Sequence, residues 1–336
     1  AVGIHASGGA VAGYGAKQNH ILIENSTFTD NAVRITRETP ANSWYLDMRG
    51  GGALILSDAV ATFSATGGKH IVNSGNTAYV EGVASDRHGG FLMLLDYGNG
   101  GNIVNFEIDG ASSMTIGQRG VKGKDSIATY KEDKSLADYT HGYDTAVINK
   151  IGKGLLVVNG SMEYYYGSVN VQQGRMEING GLTAKNVQIA SGAELSFGES
   201  VLVNEQFAID ASSTTEMYLE SKSAHTQVLL ADAAKVTIED SATLNIILSN
   251  SFEALAGDEC VLFLAEAGGS VLVTGEYDNV ALSTIGGVAF VEGLDYEMLY
   301  DGESIVLRFL QDIPEPAASA AFLSLLILGV AARRRR

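Results

Sequence analysis

The chain has little of the two residues that most often staple or interrupt a small fold: one cysteine and three prolines in 336 residues. A lone cysteine closes no internal disulfide. Cys260 sits in the apolar run Cys260-Val261-Leu262-Phe263-Leu264 and reads as a small buried side chain rather than a nucleophile. Charge is sparse at 18% against 46% hydrophobic residues, which excludes a disordered chain and predicts a sizeable core. Positive charge is the scarcer sign: 22 Lys and Arg against 39 Asp and Glu give a formal charge of −17. Such a surface repels phosphate backbones and argues against nucleic acid as a partner; the acids read mainly as a solvated exterior. The chain has no Gly-x-Ser-x-Gly elbow, no phosphate loop and no Gly-Gly-x-Gly-x-Asp calcium loop. Its six histidines, His5, His20, His70, His88, His141 and His225, lack metal-ligand spacing, so no metal or cofactor is expected.

Glycine is abundant, at 40 residues. Many glycines with few prolines predict tight turns between short strands. The clearest strands are Ile21–Ile23, Ala53–Leu56, Leu155–Val158, Val169–Val171, Met176–Ile178, Val187–Ile189, Val236–Ile238 and Leu244–Ile246. Several alternate apolar with polar residues, which turns one face inward. Related strands recur at roughly 10 to 25 residues, a spacing suited to a solenoid in which each strand pairs one coil away at about 4.8 Å. Apolar side chains then form inward ladders, and Asn and Thr can pair along the stack. A β-sandwich fits the same alternation. Ala1 already lies in repeat-like sequence, so the chain reads as an excerpt of a longer precursor.

The C-terminus carries the most specific pattern. Pro314-Glu315-Pro316 precedes an uncharged segment, Ala317 to Ala332, and then Arg333, Arg334, Arg335 and Arg336. As a helix the apolar segment spans about 24 Å, somewhat short of the roughly 30 Å hydrocarbon core, a gap closed by snorkelling arginines and local thinning. Pro316 suits a first helical turn, and the arginines would stay cytoplasmic, so the preceding chain is exported. Residues 313–336 resemble the PEP-CTERM sorting signal of Gram-negative bacteria. The resemblance implies recognition by an exosortase, which would remove the tail near Pro314-Glu315-Pro316.

Two further resemblances concern the body. Gly8-Gly9-Ala10, Asn25 to Asn31 with Phe28, Gly51-Gly52-Ala53-Leu54 and His88-Gly89-Gly90-Phe91 resemble the repeats of polymorphic outer-membrane proteins and related parallel β-helix passengers. The glycines would permit turns between sheets, and the Asn of Phe-x-x-Asn would bond its own coil's backbone. Lys150-x-Gly152-x-Gly154, the strand to Val158, the Tyr-x-Gly element read at Tyr166-Gly167 and the strands to Val171 and Ile178 resemble the autotransporter-associated β-strand repeat over about 148–180. Met176 and Ile178 stand where Leu is commoner, and Val187 to Phe197 is a degenerate continuation. In that family such repeats build a stalk and carry no catalytic residue. Residues 250–312 resemble the closing segment found before such tails. A solenoid needs an end cap, and Asp295, Glu297, Asp301 and Glu303 would discourage edge pairing there.

Together these features predict an all-β protein: a right-handed parallel β-helix over 1–249, a β cap over 250–312, and a sorting signal with a single transmembrane helix over 313–336. Segments 36–49, with Pro40 and Trp44, and 119–145, with mixed charge, are expected to loop out of the stack. The expected function is an exported structural or adhesin-like surface protein. Its partners would be the exosortase, the membrane and an extracellular glycan or surface ligand. The rival is a glycan-active β-helix enzyme of polysaccharide lyase or glycosidase type, which needs clustered carboxylates. Asp86-Arg87-His88, with Asp96 nearby, is the best local cluster for it. These read as charged turn residues, and no catalytic residue is assigned.

Overall fold

The computed structural model of the protein describes residues 4–5, 11–14, 20–35, 46–47, 52–57, 59–80, 89–96, 101–131, 145–223, 225–266 and 269–313, and in these it is all β. Two long sheets dominate. The first runs through His20–Glu24, Val60–Ala65, Ile103–Ile108, Val147–Ile151, Ser168–Val171, Leu182–Ile189, Val201–Ile209, Val228–Leu230 and Glu259–Ala265. The second runs through His70–Asn73, Ser113–Ile116, Leu155–Val158, Arg175–Ile178, Glu194–Phe197, Thr214–Leu219, Thr243–Leu248 and Asn279–Thr284. The chain visits the sheets in turn, and each circuit adds a strand in parallel to the one before. Parallel neighbours separated by a full circuit overturn the sandwich alternative, whose hairpin-connected strands would pair antiparallel.

Circuit length is not constant. Val60 pairs with Ile103 and Ile103 with Val147, steps of 43 and 44 residues. Val147 then pairs with Ser168, Val169 with Val187 and Val187 with Phe207, steps of 21, 18 and 20. The steps lengthen again to 29 and 37, from Phe207 to Val236 and Val236 to Val273. The wide circuits hold a third sheet, Val11–Tyr14, Leu54–Ser57, Leu92–Asp96 and Ile127–Lys131. It stops where the circuits shorten, and its last strand is not left bare: the Ile127 and Thr129 N–H groups donate to the Ser161 and Tyr164 carbonyls at 3.0 and 2.9 Å.

Strand alternation places one row of each sheet inward. In the first sheet that row reads Ile23, Phe63, Phe106, Lys150, Val171, Ile189, Ile209 along the stack. Phe63 and Phe106 stack with centroids 5.1 Å apart, and Phe91, just before the third-sheet strand Leu92–Asp96, packs on Phe63 at 5.7 Å. Each such buried side chain contributes about 1.5–3 kcal/mol. The third sheet is buried on both faces: Leu54, Leu56, Leu92 and Leu94 join the main core, while Ile55, Met93, Leu95 and Ala128 form a second cluster. The Gly-Gly motif has a steric cause: a Cβ on Gly52 would lie 2.3 Å from the Gly90 carbonyl of the next circuit.

Polar ladders run beside the apolar ones. On the outer face of the first sheet, Asn170 donates to Asn149 (3.0 Å), Asn149 to Asn105 (2.9 Å) and Asn105 to Thr62 (3.4 Å). The asparagine of Phe-x-x-Asn behaves differently from expectation. Asn31 donates to Asn76 of the next circuit at 2.8 Å, and Asn76 donates to Asp125 at 2.7 Å and back to the Phe28 carbonyl at 3.0 Å. At the turns of a parallel stack the backbone groups point along the stack axis, so the neighbouring circuit supplies the partner.

Two expected boundaries change, and a third segment lies almost wholly outside the described residues. Within the excursion expected over 119–145, Ile127–Lys131 is a strand of the third sheet, and residues 132–144 lie outside the described residues. Of segment 36–49 only Leu46–Asp47 is described, as a strand parallel to Ile4–His5. The parallel stack continues past 249: Glu259–Ala265, Leu272–Thr274 and Asn279–Thr284 form one more circuit. Closure is antiparallel, by Ala289–Phe290, Ile305–Phe309 and Tyr296–Tyr300. Among the described residues no helix is long and apolar enough to cross a membrane, and the segment expected to be the anchor lies outside them.

Candidate functional site

The change in circuit length shapes the surface. Short circuits between longer ones leave a groove of about 660 Å³. Arg119 and Glu163 line its N-terminal side, Thr183, Glu199, Ser200 and Leu202 of the short circuits its middle, and Tyr218, Glu220, His225, Leu229, Ser249 and Ile285 its C-terminal side. A smaller recess of about 60 Å³ shares Glu163, Gly181 and Glu199 with it and adds Lys122. Among the described residues no ion pair neutralises Glu163, Glu199 or Glu220. Leu202 and Leu229 are neighbours in register, so the middle of the groove has an apolar patch between charged margins. His225 offers no open base: Nε2 lies 3.0 Å from the Val261 carbonyl, and Nδ1 is buried without a partner.

Beside the groove, on the outer face of the second sheet, Arg175 gathers three carboxylates from three successive strands. Its guanidinium donates to Glu177 at 2.8 Å, to Glu194, and to Glu216 at 2.6 Å. Ser196 adds a hydrogen bond to Glu216 at 3.1 Å, and Tyr218, two residues further along the strand, has its phenol pKa raised by burial and by the Glu216 charge. Burial raises the Glu194 carboxyl above its usual range, Arg175 pulls it down, and Glu216 and Glu177 push it further up. Burial opposes the charge on Arg175, but the three carboxylates outweigh it and hold the guanidinium firmly protonated. Each carboxylate is engaged by the same cation, so the cluster holds its strands together and leaves no free acid–base pair.

A second cation lies inside. Lys150 falls in the inward row between Phe106 and Val171 and is fully buried. Its ammonium donates to the carbonyls of Gly152 (2.6 Å), Gln173 (3.0 Å) and Ile151 (3.3 Å). Burial lowers its pKa to about 8.

The residues singled out from sequence fall mostly elsewhere. Pro314, Glu315, Pro316 and Arg333 to Arg336 lie outside the described residues, as do Asp86, Arg87 and His88. Asp96 ends the strand Leu92–Asp96. Cys260 is buried, and burial pushes its thiol up to about 12, so it is inert at neutral pH. Among the described residues no group of three His, Cys, Asp or Glu is placed to hold a metal ion. The groove and the Arg175 cluster were missed. Glu177, Glu194 and Glu216 each sit in an alternating strand, but only the register shows that they share one cation.

Comparison with the profiles of protein families, with curated proteins and with solved structures yields no match. Function therefore rests on the residues themselves.

Proposed function

We propose that the protein is an exported structural or adhesin-like surface scaffold. It is a right-handed parallel β-helix that displays its outer surface and is sorted through residues 313–336. An exosortase would process the tail at Pro314-Glu315-Pro316 after the apolar segment 317–332 has held the chain in the inner membrane. The observation that carries this reading is the unbroken parallel stack from His20–Glu24 to Asn279–Thr284, closed by antiparallel strands. Such a stack is stabilised circuit by circuit and makes a stiff carrier. Mass spectrometry of the exported protein tests the sorting: a mature chain lacking Arg333 to Arg336 is expected, and a mature chain retaining them would sink it.

A glycan-active enzyme is the second reading. It is favoured by the gathering of Glu177, Glu194 and Glu216, from three successive strands of the second sheet, around one point. Their shared engagement by Arg175 places it second. Incubation with acidic and mucin-type glycans separates the two readings. Cleavage abolished by Glu216→Gln, Glu194→Gln, Asp86→Asn or His88→Gln would replace the scaffold reading with the enzyme.

A further inference from the structure

We propose that the groove between the short and long circuits binds a neutral oligosaccharide, with Tyr218 as its stacking platform. This deepens the adhesin-like reading and rests on it.

Size and lining select the ligand. A groove of about 660 Å³ lies within the roughly 300–1,000 Å³ of small-molecule sites. Leu202 and Leu229, neighbours in register, and Tyr218 give it apolar and aromatic surface, and the carboxylates of Glu163, Glu199 and Glu220 line it as well. Sugar rings present both matching surfaces. Their C–H faces pack on an aromatic ring or aliphatic side chains, and their hydroxyls donate to carboxylates in charge-assisted hydrogen bonds. A purely apolar ligand would cover Glu163, Glu199 and Glu220 without pairing them, at a cost of several kcal/mol. A uronic or sulfated glycan would meet three carboxylates that no ion pair among the described residues neutralises. A strongly basic peptide would meet Arg119 in the groove and Lys122 in the adjoining recess. Both signs on one rim, with the negative in excess, suit a ligand that carries donors and no net charge.

The platform is held in place. Tyr218 follows Glu216 by two residues on the same strand, and Glu216 is gripped by Arg175 at 2.6 Å and by Ser196 at 3.1 Å. Glu216 itself is buried. Tyr218 lines the groove beside this fixed carboxylate, and a ring with restricted neighbours loses less entropy on binding. The Arg175 cluster acquires a purpose on this view. Arg175 and Glu216 are positioning residues for Tyr218.

Isothermal titration of the full chain, against cellohexaose, laminarihexaose, maltohexaose and xylohexaose, tests the proposal. Hexagalacturonate and an Arg/Lys-rich octapeptide serve as comparison probes. Binding of at least one neutral hexasaccharide, with Kd on the order of 1 mM or tighter, is expected. Tyr218→Ala should weaken it about tenfold or more, and Tyr218→Phe only about two- to threefold. Arg175→Met should weaken it about three- to tenfold, and adding Tyr218→Trp in that background should restore part of the loss, which a merely structural role would not allow. Leu229→Ser probes the far side of the groove if Tyr218→Ala does not fold. Glu253→Gln, on an exposed turn, should bind as the parent does. No neutral hexasaccharide bound, preferential binding of hexagalacturonate or of the octapeptide, or parent-like binding by both Tyr218→Ala and Leu229→Ser would overturn the proposal. Hydrolysis of the sugar during titration, followed by chromatography, would retain the groove and remove the scaffold reading instead. The state of the tail, read by mass spectrometry, reports on sorting alone.

Discussion

The circuits through residues 60–158 and those through residues 168–209 are one architecture at two widths. Both alternate inward and outward residues, pair in parallel and turn through glycines. The wide ones advance 42 to 44 residues between paired positions, as from Ser113 to Leu155, and the narrow ones 18 to 21. The difference is a whole sheet, and the inward row of the first sheet records it: Phe63 and Phe106 in the wide section give way to Val171 and Ile189, while Phe197 and Phe207 pack 6.1 Å apart elsewhere in the narrow core. Lys150 stands at the junction. Its long stem continues the inward row of Phe106, and its head ties together the carbonyls at the turn where the section contracts. The lesson is that a parallel stack can change width by losing a sheet without losing register in those that remain, and that the step creates the groove.

This comparison can be broken experimentally. The largest expected effect is in the wide core: Phe106→Ala should cost about 3–5 kcal/mol in urea unfolding, whereas Val171→Ala in the same row should cost about 2. Equal losses would mean that width does not govern the core.

Next is the junction turn. Gly152 has φ +78° and a Cβ there would lie 2.3 Å from the Ile108 carbonyl. Gly152→Ala should therefore cost about 2–4 kcal/mol, combining backbone strain with a clash. Gly192, with φ +72° and open space around it, should cost only about 1 kcal/mol on the same change.

Third is the pH dependence of Lys150. Its folded pKa is about 8 and its ordinary value 10.5. Between these values the unfolded chain holds a proton that the folded chain has released. Stability should thus rise with pH through this window relative to Lys150→Met, by on the order of 2–3 kcal/mol in total. Below pH 8 both states are protonated and the difference should be flat. A difference that falls between pH 8 and 10 would show that the ammonium is retained in the fold.

The smallest effect is on the asparagine ladder that crosses the junction unchanged. Asn149→Ala should cost about 1 kcal/mol. Its double-mutant cycle with Asn105 should return a coupling of about 0.5 kcal/mol or more, and no coupling would mean that the ladder adds nothing to the pairing of these strands.

Much of the body was legible residue by residue. The Lys-x-Gly-x-Gly and Tyr-x-Gly patterns have visible causes: Lys150 caps carbonyls, Gly152 takes a positive φ, and Tyr165 is buried with its hydroxyl donating to the Ser168 carbonyl at 2.7 Å. The strands Leu155–Val158 and Arg175–Ile178 follow directly from alternation. The strand Ile127–Lys131 was hidden because it lies in a stretch of mixed charge, where burial comes from the third sheet and not from local pattern. The Arg175 cluster was hidden for a related reason: Glu194 and Glu216 lie 19 and 41 residues from their cation.

Alternation and glycine placement act within a few residues, so they alone determined where strands and turns form and which side chains face inward. Composition likewise determined an acidic exterior without disulfides. Circuit width, the end of the third sheet at Ile127–Lys131 and the groove beside Tyr218 were decided by which strands pair across 18 to 44 residues of chain. That choice is made by packing between whole circuits, because a strand's edge is satisfied equally well, in local terms, by any neighbour that continues its ladder.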